Sequence, residues 1–306
     1  MTPQKKTFVS RNTKRRTEHV AADNELDTRN GSRRRILELT SAPNAVVAEI
    51  LSGLIKGYGT VGAGDVWSPN GKRAPAPVRL GETTGFLKNP EHKTALREWW
   101  VSDGPVLNRA LTQRQTGGRE GGKPTRLPAF DLVSTYSPVN DEIHNSAIQQ
   151  SRNSAILVIS AAAHIGELNS DHAHQREKPA LPQIRKALAE ASSGWNALLE
   201  KRAGDYGYKL SHRVKLSTDA HYRLSCNFAV AWKLAQLGVP TILCYLGFLD
   251  ALELAEDGRL IFGNRAMWVK CVFEKTSKPV PEEIWDATFE VPGGAPVTVL
   301  RKSLSI

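Results

Sequence analysis

Residues 154–168 have the sequence SAILVISAAAHIGEL, from which we predict the central strand of the fold. The apolar run at residues 156–159 is rich in β-branched side chains, which predicts a strand buried on both faces. The side chains then become small, at Ser160 and at the alanines that follow it. Because alternate residues of a strand share a face, Ser160 and Ala162 point to the same side of the sheet. The sequence therefore predicts a buried central strand with room for another group beside its carboxyl end.

Residues 157–168, together with residues 222–234 and 238–249, resemble a bacterial branch of the PD-(D/E)XK nuclease superfamily. In that branch the central strand carries Glu-Ala-Lys-Ala-His, where this chain has Ser160-Ala161-Ala162-Ala163-His164. The resemblance implies a restriction-endonuclease-like core, an α/β fold with a central mixed sheet flanked by helices. It also implies chemistry in which the Glu and an Asp from the preceding strand hold a divalent metal ion, while the Lys orients or activates the attacking water.

The catalytic positions of the family pattern hold different residues in this chain. Ser160 stands in place of the Glu, Ala162 in place of the Lys, and Ser146 is the expected occupant of the Asp position. A Ser hydroxyl brings no charge to a hard divalent cation and Ala brings no donor atom, so the resemblance argues against metal-dependent cleavage. His164 and Glu167 fit the family pattern Ala-His-Ile-Gly-Glu-Leu, and each is expected to contact substrate or to order the end of the strand.

A second functional cluster has changed within a predicted helix at residues 219–237. The related nucleases show Tyr-Gln-x-x-Asn-Arg there, in support of the active site, whereas this chain has Tyr222-Arg223-Leu224-Ser225-Cys226-Asn227. Arg223 therefore stands where the family has Gln. Gly238 ends the helix, and the apolar residues 239–248 predict a strand that lies parallel to the central strand.

The net charge of +10 is concentrated near the N-terminus. Residues 1–35 hold ten Lys and Arg against four acidic residues and show no hydrophobic period, which predicts a disordered basic arm. Residues 36–306 are expected to form a single domain, with its nuclease-like core at about residues 130–250. A basic arm suits the phosphate backbone of nucleic acid, DNA above all, although a solvated leader has the same composition. The predicted contacts with nucleic acid are Lys14, Arg15, Arg16, Arg33, Arg34, Arg35 and Arg223.

Relocated metal ligands would instead preserve a nuclease that uses Mg²⁺ or Mn²⁺. The candidates are Glu49 on a predicted helix at residues 44–55, Asp141 and Glu142 ahead of the central strand, and Glu167. An exposed helical Glu and solvated loop acids are the simpler interpretation of the first three. A protein-interaction module without a nucleic-acid role is a third possibility. Binding without cleavage, metal-dependent cleavage, or neither activity distinguishes these three hypotheses.

Hydrophobic periodicity predicts the remaining elements. Residues 130–136 are expected to pair with the central strand as an antiparallel hairpin. A helix at residues 182–202 has a potential break at Ser192-Ser193-Gly194. The other expected elements are a helix at residues 91–101, an edge strand or short helix at 267–273, a short helix at 281–287 and a final strand at 297–300.

Composition restricts the cellular setting and the partners. No run approaches the roughly 18–20 apolar residues that span a bilayer, so no membrane partner is expected. Cys226, Cys244 and Cys271 lie far apart and are expected to be buried free thiols in a reducing cytoplasm. No cofactor is expected unless the chain is an active nuclease, and a homo-oligomer is possible.

Overall fold

A mixed β-sheet flanked by helices forms the centre of the protein, so the predicted α/β class is confirmed. The computed structural model describes residues 30–63, 66–67, 78–79, 89–100, 129–139, 155–169, 171 and 181–305. Within the first half of the chain, the elements are α1 (Asn30–Ser41), α2 (Asn44–Leu54), β1 (Gly59–Thr60), β2 (Val66–Trp67), β3 (Val78–Arg79), α3 (Pro90–Trp100), β4 (Ala129–Phe130) and β5 (Leu132–Pro138). They are followed by β6 (Ala155–Ala162), a 3₁₀ helix (Ile165–Leu168), α4 (Leu181–Tyr206), α5 (Tyr222–Gln236), β7 (Thr241–Leu249), α6 (Leu252–Glu256), α7 (Arg265–Thr276), a second 3₁₀ helix (Glu282–Ile284), β8 (Ala287–Glu290) and β9 (Pro296–Ser305).

The main sheet has the strand order β1-β5-β6-β7-β9-β8, and β2 also pairs with β5. β5 is antiparallel to β6, with Leu132 opposite Ile159, which confirms the predicted hairpin. β6 and β7 are parallel, with Ile156 opposite Thr241, and β7 is parallel to β9. The chain passes from β6 to β7 through α4 and α5, because parallel neighbours need a long crossover connection. The predicted parallel pairing is therefore confirmed.

The central strand β6 is buried along its whole length and separates two hydrophobic cores. Ile156, Val158 and Ala162 pack on the side of α4 and α5. Leu157 and Ile159 pack on the opposite side, in the core that contains α1 and α2. Strand alternation thus places Ser160 and Ala162 toward α5.

Helix α1 corrects the predicted boundary of the N-terminal arm. The last six residues of the expected arm are helical, since α1 begins at Asn30, and residues 1–29 lie outside the described ranges. Ile36 and Leu39 are buried and give the helix an apolar side that packs on the sheet. Arg35 forms ion pairs with Glu38 and with Glu253, and its side chain is only 11% exposed. The positive charge of Arg35 therefore holds α1 in place.

Helix α4 continues without interruption through the predicted break at residues 192–194. Gly194 is close to the Trp232 ring of α5, and a Cβ atom built at this glycine would lie 2.2 Å from that ring. The absence of a side chain lets α4 and α5 approach closely. The glycine thus serves packing between helices, which periodicity within one helix does not reveal.

Replacing Gly194 with Ala is expected to destabilise the protein, although Ala favours a helix by about 1 kcal/mol over Gly. Overpacking against Trp232 opposes that gain and typically costs about 1–3 kcal/mol. Gly204 on the same helix is a matched control, because a Cβ atom there would meet nothing within 4 Å. Urea denaturation should show a lower free energy of unfolding for Gly194→Ala and an equal or higher one for Gly204→Ala. Stabilisation by both substitutions would contradict the packing role of Gly194.

The starts and lengths of two helices, α5 and α7, differ from the predicted ones, whereas the cysteines agree with the prediction. Helix α5 begins at Tyr222, three residues after the predicted start at residue 219, and residues 267–273 are helical within α7. The three cysteines are free and buried, as predicted, and burial raises the pKa of the Cys244 thiol to about 12. None of the helices in the described ranges is long and apolar enough to cross a membrane.

Candidate functional site

The carboxylate of Asp131 lies beside the carboxyl end of β6. Asp131 lies at the bend between β4 and β5, and its main-chain N–H donates to the carbonyl of Ile159 at 2.9 Å. Its side-chain Oδ2 accepts a hydrogen bond of 2.7 Å from the N–H of Ala161. Asp131 is thereby fixed beside Ser160 and Ala162. The carboxylate is 8% exposed, so little solvent reaches it.

Arg223 on α5 neutralises this carboxylate. Its Nη2 forms an ion pair with Asp131 Oδ2, and the Arg223 side chain is 27% exposed. Burial acts to lower the pKa of the guanidinium, but the negative charges of Asp131 and Glu167 outweigh burial and raise that pKa. Arg223 is therefore a permanent cation beside the Ser160 and Ala162 positions.

Asp171 and Tyr245 complete the surroundings of Arg223. The Asp171 carboxylate accepts from the N–H of Arg223 at 3.2 Å, and its carbonyl accepts from the N–H of Tyr222 at the same distance. These bonds satisfy donors at the start of α5, which otherwise lack partners. Tyr245 on β7 lies opposite Ser160, and burial raises the pKa of its phenol. The phenol is therefore neutral and accepts from Asn227 Nδ2 at 3.5 Å.

Glu167 connects the central strand to α1. Its Oε1 accepts from the N–H of Ser32 at 3.0 Å and from the Ser32 hydroxyl at 2.8 Å. Its Oε2 accepts from the N–H of Ala163 at 2.6 Å. A carboxylate at the first turn of a helix also interacts favourably with the helix dipole. Both oxygens of Glu167 are thus committed to fixing α1 against the end of β6.

Replacing Glu167 with Ala is expected to lower the free energy of unfolding by about 2–4 kcal/mol, because the donors of Ser32 and Ala163 lose their acceptor. Limited proteolysis should also cut within α1 faster than in the native chain. Glu49→Ala is the control, since Glu49 is exposed on α2 and forms no comparable bond with a described residue. Equal stability and equal proteolysis of the two variants would show that Glu167 does not anchor α1.

His164 orders the turn that follows β6. Its Nδ1 accepts from the N–H of Gly166 at 3.1 Å, and it forms an isolated β-bridge with Ile261. Arg259 Nη1 lies 3.2 Å from the other ring nitrogen. The side chain is 4% exposed. Of the two roles predicted for His164, these contacts correspond to ordering the end of the strand.

The other predicted site residues lie either on α1 and α2 or outside the described ranges. Glu49 is exposed on α2, on the other side of the sheet from Ser160 and Ala162. Arg34 is an exposed residue of α1 that pairs with Glu38 at 3.1 Å, and Arg33 of α1 is half-buried. Outside the described ranges lie Lys14, Arg15, Arg16, Asp141, Glu142 and Ser146. No group of three His, Cys, Asp or Glu residues that could hold a metal ion occurs in the described part of the chain.

Asp131 and Asp171 are site residues that the sequence analysis did not assign. Asp131 is the second residue of the predicted strand at residues 130–136, within the sequence Pro128-Ala129-Phe130-Asp131. An acidic residue within an otherwise apolar run is unusual enough to be a signal. The antiparallel pairing predicted for that strand would have brought its start to the end of the central strand.

Comparison of the chain with protein-family models, with curated proteins and with solved structures finds no match. The nuclease resemblance of the sequence therefore stays an expectation.

Proposed function

We propose that this chain is a nuclease-like protein in which an internal ion pair has replaced the metal centre, and that it binds nucleic acid without cleaving it. The observation that carries this proposal is the pairing of Arg223 with Asp131 beside Ser160 and Ala162. A site of this kind retains the shape of a nuclease core and lacks the charges that hold a divalent cation.

The location of Asp131 supports its assignment to the Asp of the family pattern, in place of Ser146. The pattern draws this Asp from the strand that precedes the central one. Asp131 lies directly before β5, and β5 is the antiparallel neighbour of β6. Its carboxylate reaches the N–H of Ala161, between Ser160 and Ala162. One carboxylate of the family site is then retained, while the second carboxylate and the Lys are absent.

The charge of Arg223 supports the loss of metal binding. The family has Gln at this position, and the change to Arg accompanies the change of Lys to Ala at position 162. A guanidinium does not release its proton near neutral pH, so it repels a divalent cation that approaches Asp131. Hard cations also need several oxygen ligands, and Oδ2 of Asp131 is already bonded to Ala161 and Arg223.

The distribution of basic residues supports nucleic acid as the partner. Residues 1–29 contain seven Lys and Arg against four acidic residues. This segment joins the fold at Asn30, and the first turn of α1 is bonded through Ser32 to Glu167, just beyond β6. The basic segment therefore joins the fold close to the carboxyl end of β6. Its charges suit a phosphate backbone through the release of counterions.

A binding and cleavage experiment on the full chain tests the proposal. Fluorescence anisotropy of labelled single-stranded DNA, duplex DNA and RNA would be measured over a series of KCl concentrations, with EDTA or with Mg²⁺. We expect salt-dependent binding that EDTA does not abolish, and an intact labelled strand after incubation with Mg²⁺ or Mn²⁺. Combined replacement of Lys14, Arg15 and Arg16 with Ala should reduce the salt slope by about 0.9 for each lost contact with duplex phosphate.

Two results would overturn the proposal in different ways. Metal-dependent cleavage by the native chain would favour an active nuclease with ligands such as Asp141, Glu142 or Glu167. Failure to bind any of the three nucleic acids would favour a protein-interaction module.

A further inference from the structure

The connection between α4 and α5, residues 207–221, has no helix or strand but is held at several points. Ser211 donates its N–H to Glu283 at 2.8 Å, and Val214 donates its N–H to Asn196 at 2.8 Å. Lys215 donates its N–H to the carbonyl of Pro279 at 2.8 Å. Ordered loops of this length without secondary structure often serve a function. This loop lies against the end of α7 and leads directly into α5, which carries Arg223.

Three lysines gather where the loop meets the end of α7. The Lys215 bond to Pro279 places it beside Lys278, and Lys275 lies in the last turn of α7. Lys215 and Lys278 are exposed, and Lys275 is half-buried. None of these lysines takes part in an ion pair with any residue of the described ranges, in contrast to Lys270, which lies 3.7 Å from Glu274. We call Lys215, Lys275 and Lys278 the lysine face.

The acidic groups around the lysine face are engaged within the chain. Glu283 accepts from both the N–H and the hydroxyl of Ser211, and these bonds lower the pKa of its carboxyl group, although burial alone would raise it. Asp219 lies 3.6 Å from Arg185, and Asp171 accepts from the N–H of Arg223. None of these three carboxylates forms an ion pair with Lys215, Lys275 or Lys278 among the described residues.

His221 is the residue that precedes α5, at the end of the same loop. Burial lowers the pKa of this imidazole, Asp171 opposes the lowering, and the positive charges of Lys278 and Lys275 add to it. The two lysines are therefore within electrostatic range of His221, two residues before Arg223. The lysine face therefore lies near the start of α5, the helix that carries Arg223.

We propose that the lysine face is the docking surface for the phosphate backbone of nucleic acid on the folded domain. This inference rests on the proposed function and specifies where the folded domain contacts its partner. Lys215, Lys275 and Lys278 bind successive phosphates and guide the strand toward Arg223. The contacts do not involve base edges, so the surface does not distinguish one sequence from another.

Charge reversal on the full chain tests this surface. Lys278→Glu is compared with Lys56→Glu, an identical charge change at an exposed lysine just after α2, on the other side of the sheet. Anisotropy should show a loss of affinity of about fivefold or more for Lys278→Glu and of less than about twofold for Lys56→Glu. The double variant Lys275→Glu/Lys278→Glu should reduce the salt slope on duplex DNA by about 2, since each phosphate contact contributes about 0.9. Circular dichroism and thermal unfolding verify that the variants fold.

The outcomes separate this inference from the proposed function. If the native chain binds nucleic acid and Lys278→Glu binds no worse than Lys56→Glu, the lysine face is not the docking surface, and the proposed function stands. If the native chain binds no nucleic acid, both are wrong. Binding to phosphatidylserine vesicles but to no nucleic acid would give the surface a membrane partner and would overturn the inference. The neutral variant Lys275→Gln/Lys278→Gln should weaken binding less than the double charge reversal.

Discussion

The triple variant Ser160→Glu/Ala162→Lys/Arg223→Gln is expected to bind Mn²⁺ saturably, whereas the native chain is not. The substitution at position 160 adds a carboxylate on the α5 side of β6, next to that of Asp131. The substitution at position 223 removes the guanidinium that holds Asp131. Two carboxylate groups then lie close together without the Arg223 guanidinium between them, which is the arrangement that a divalent ion needs.

Arg223 decides the outcome of this experiment. The double variant Ser160→Glu/Ala162→Lys keeps the guanidinium, so it should bind Mn²⁺ at least about tenfold more weakly than the triple variant, because like charges repel at short range. Electron paramagnetic resonance of Mn²⁺ measures binding without requiring activity. Plasmid cleavage in Mg²⁺ and Mn²⁺ is the second measurement, and only the triple variant should cut.

Two results would count against the assignment. Equal Mn²⁺ binding by the double and triple variants would show that Arg223 does not exclude the ion. No binding by a correctly folded triple variant would remove Asp131 and position 160 from the metal-ligand positions of the family pattern.

Replacing Arg223 alone with Ala should destabilise the native chain by about 2–4 kcal/mol, because it leaves a buried carboxylate without its partner. Asp131 is 8% exposed, and the charge of Arg223 is the only ion-pair partner that the described residues supply to it. Urea denaturation at neutral pH measures the change in the free energy of unfolding. The double variant Asp131→Asn/Arg223→Gln should recover part of the loss, since it removes both charges together.

An exposed ion pair provides the matched control for this measurement. Arg213 and Glu200 lie 2.8 Å apart, but their side chains are 71% and 50% exposed. Because water screens such pairs, Arg213→Ala should lower the free energy of unfolding by less than about 1 kcal/mol. An equally small effect of Arg223→Ala would mean that the Asp131–Arg223 pair does not stabilise the site. Full additivity of the Asp131 and Arg223 substitutions would mean that their charges are not coupled.

The two proposals depend on different kinds of charged group, a partly buried ion pair and a set of exposed lysines. In the first proposal Arg223 occupies Asp131 in place of a metal ion, and in the second the lysine face supplies exposed charge for phosphates. The first depends on a partly buried pair and responds little to salt, whereas the second depends on exposed lysines and weakens as salt rises. Metal binding and the salt dependence of nucleic-acid binding are therefore independent tests of the two parts of the site.

Hydrophobic patterning predicted the strands at the centre of the sheet and the two helices that connect them. The apolar run at residues 156–159 predicted β6, residues 239–248 predicted β7, and the intervening helical stretches predicted a parallel crossover. These predictions succeed because burial leaves a pattern in the sequence. A helix buried on one face shows a hydrophobic period of 3.6 residues, a strand buried on one face shows a period of 2, and a strand buried on both faces shows an unbroken apolar run. The small side chains at Ser160 and Ala162 likewise identified the part of the strand that borders the candidate site.

The side chains that meet at the candidate site could be identified only from the folded chain. The contacts that build the site join residues far apart in the chain: Asp131 and Ala161 are 30 positions apart, Asp131 and Arg223 are 92, and Ser32 and Glu167 are 135. A hydrophobic period in the sequence indicates whether each residue is buried or exposed, but it does not indicate which distant residue that residue contacts. Strand register and helix packing therefore bring the Asp131 carboxylate to Arg223 and the Glu167 carboxylate to α1.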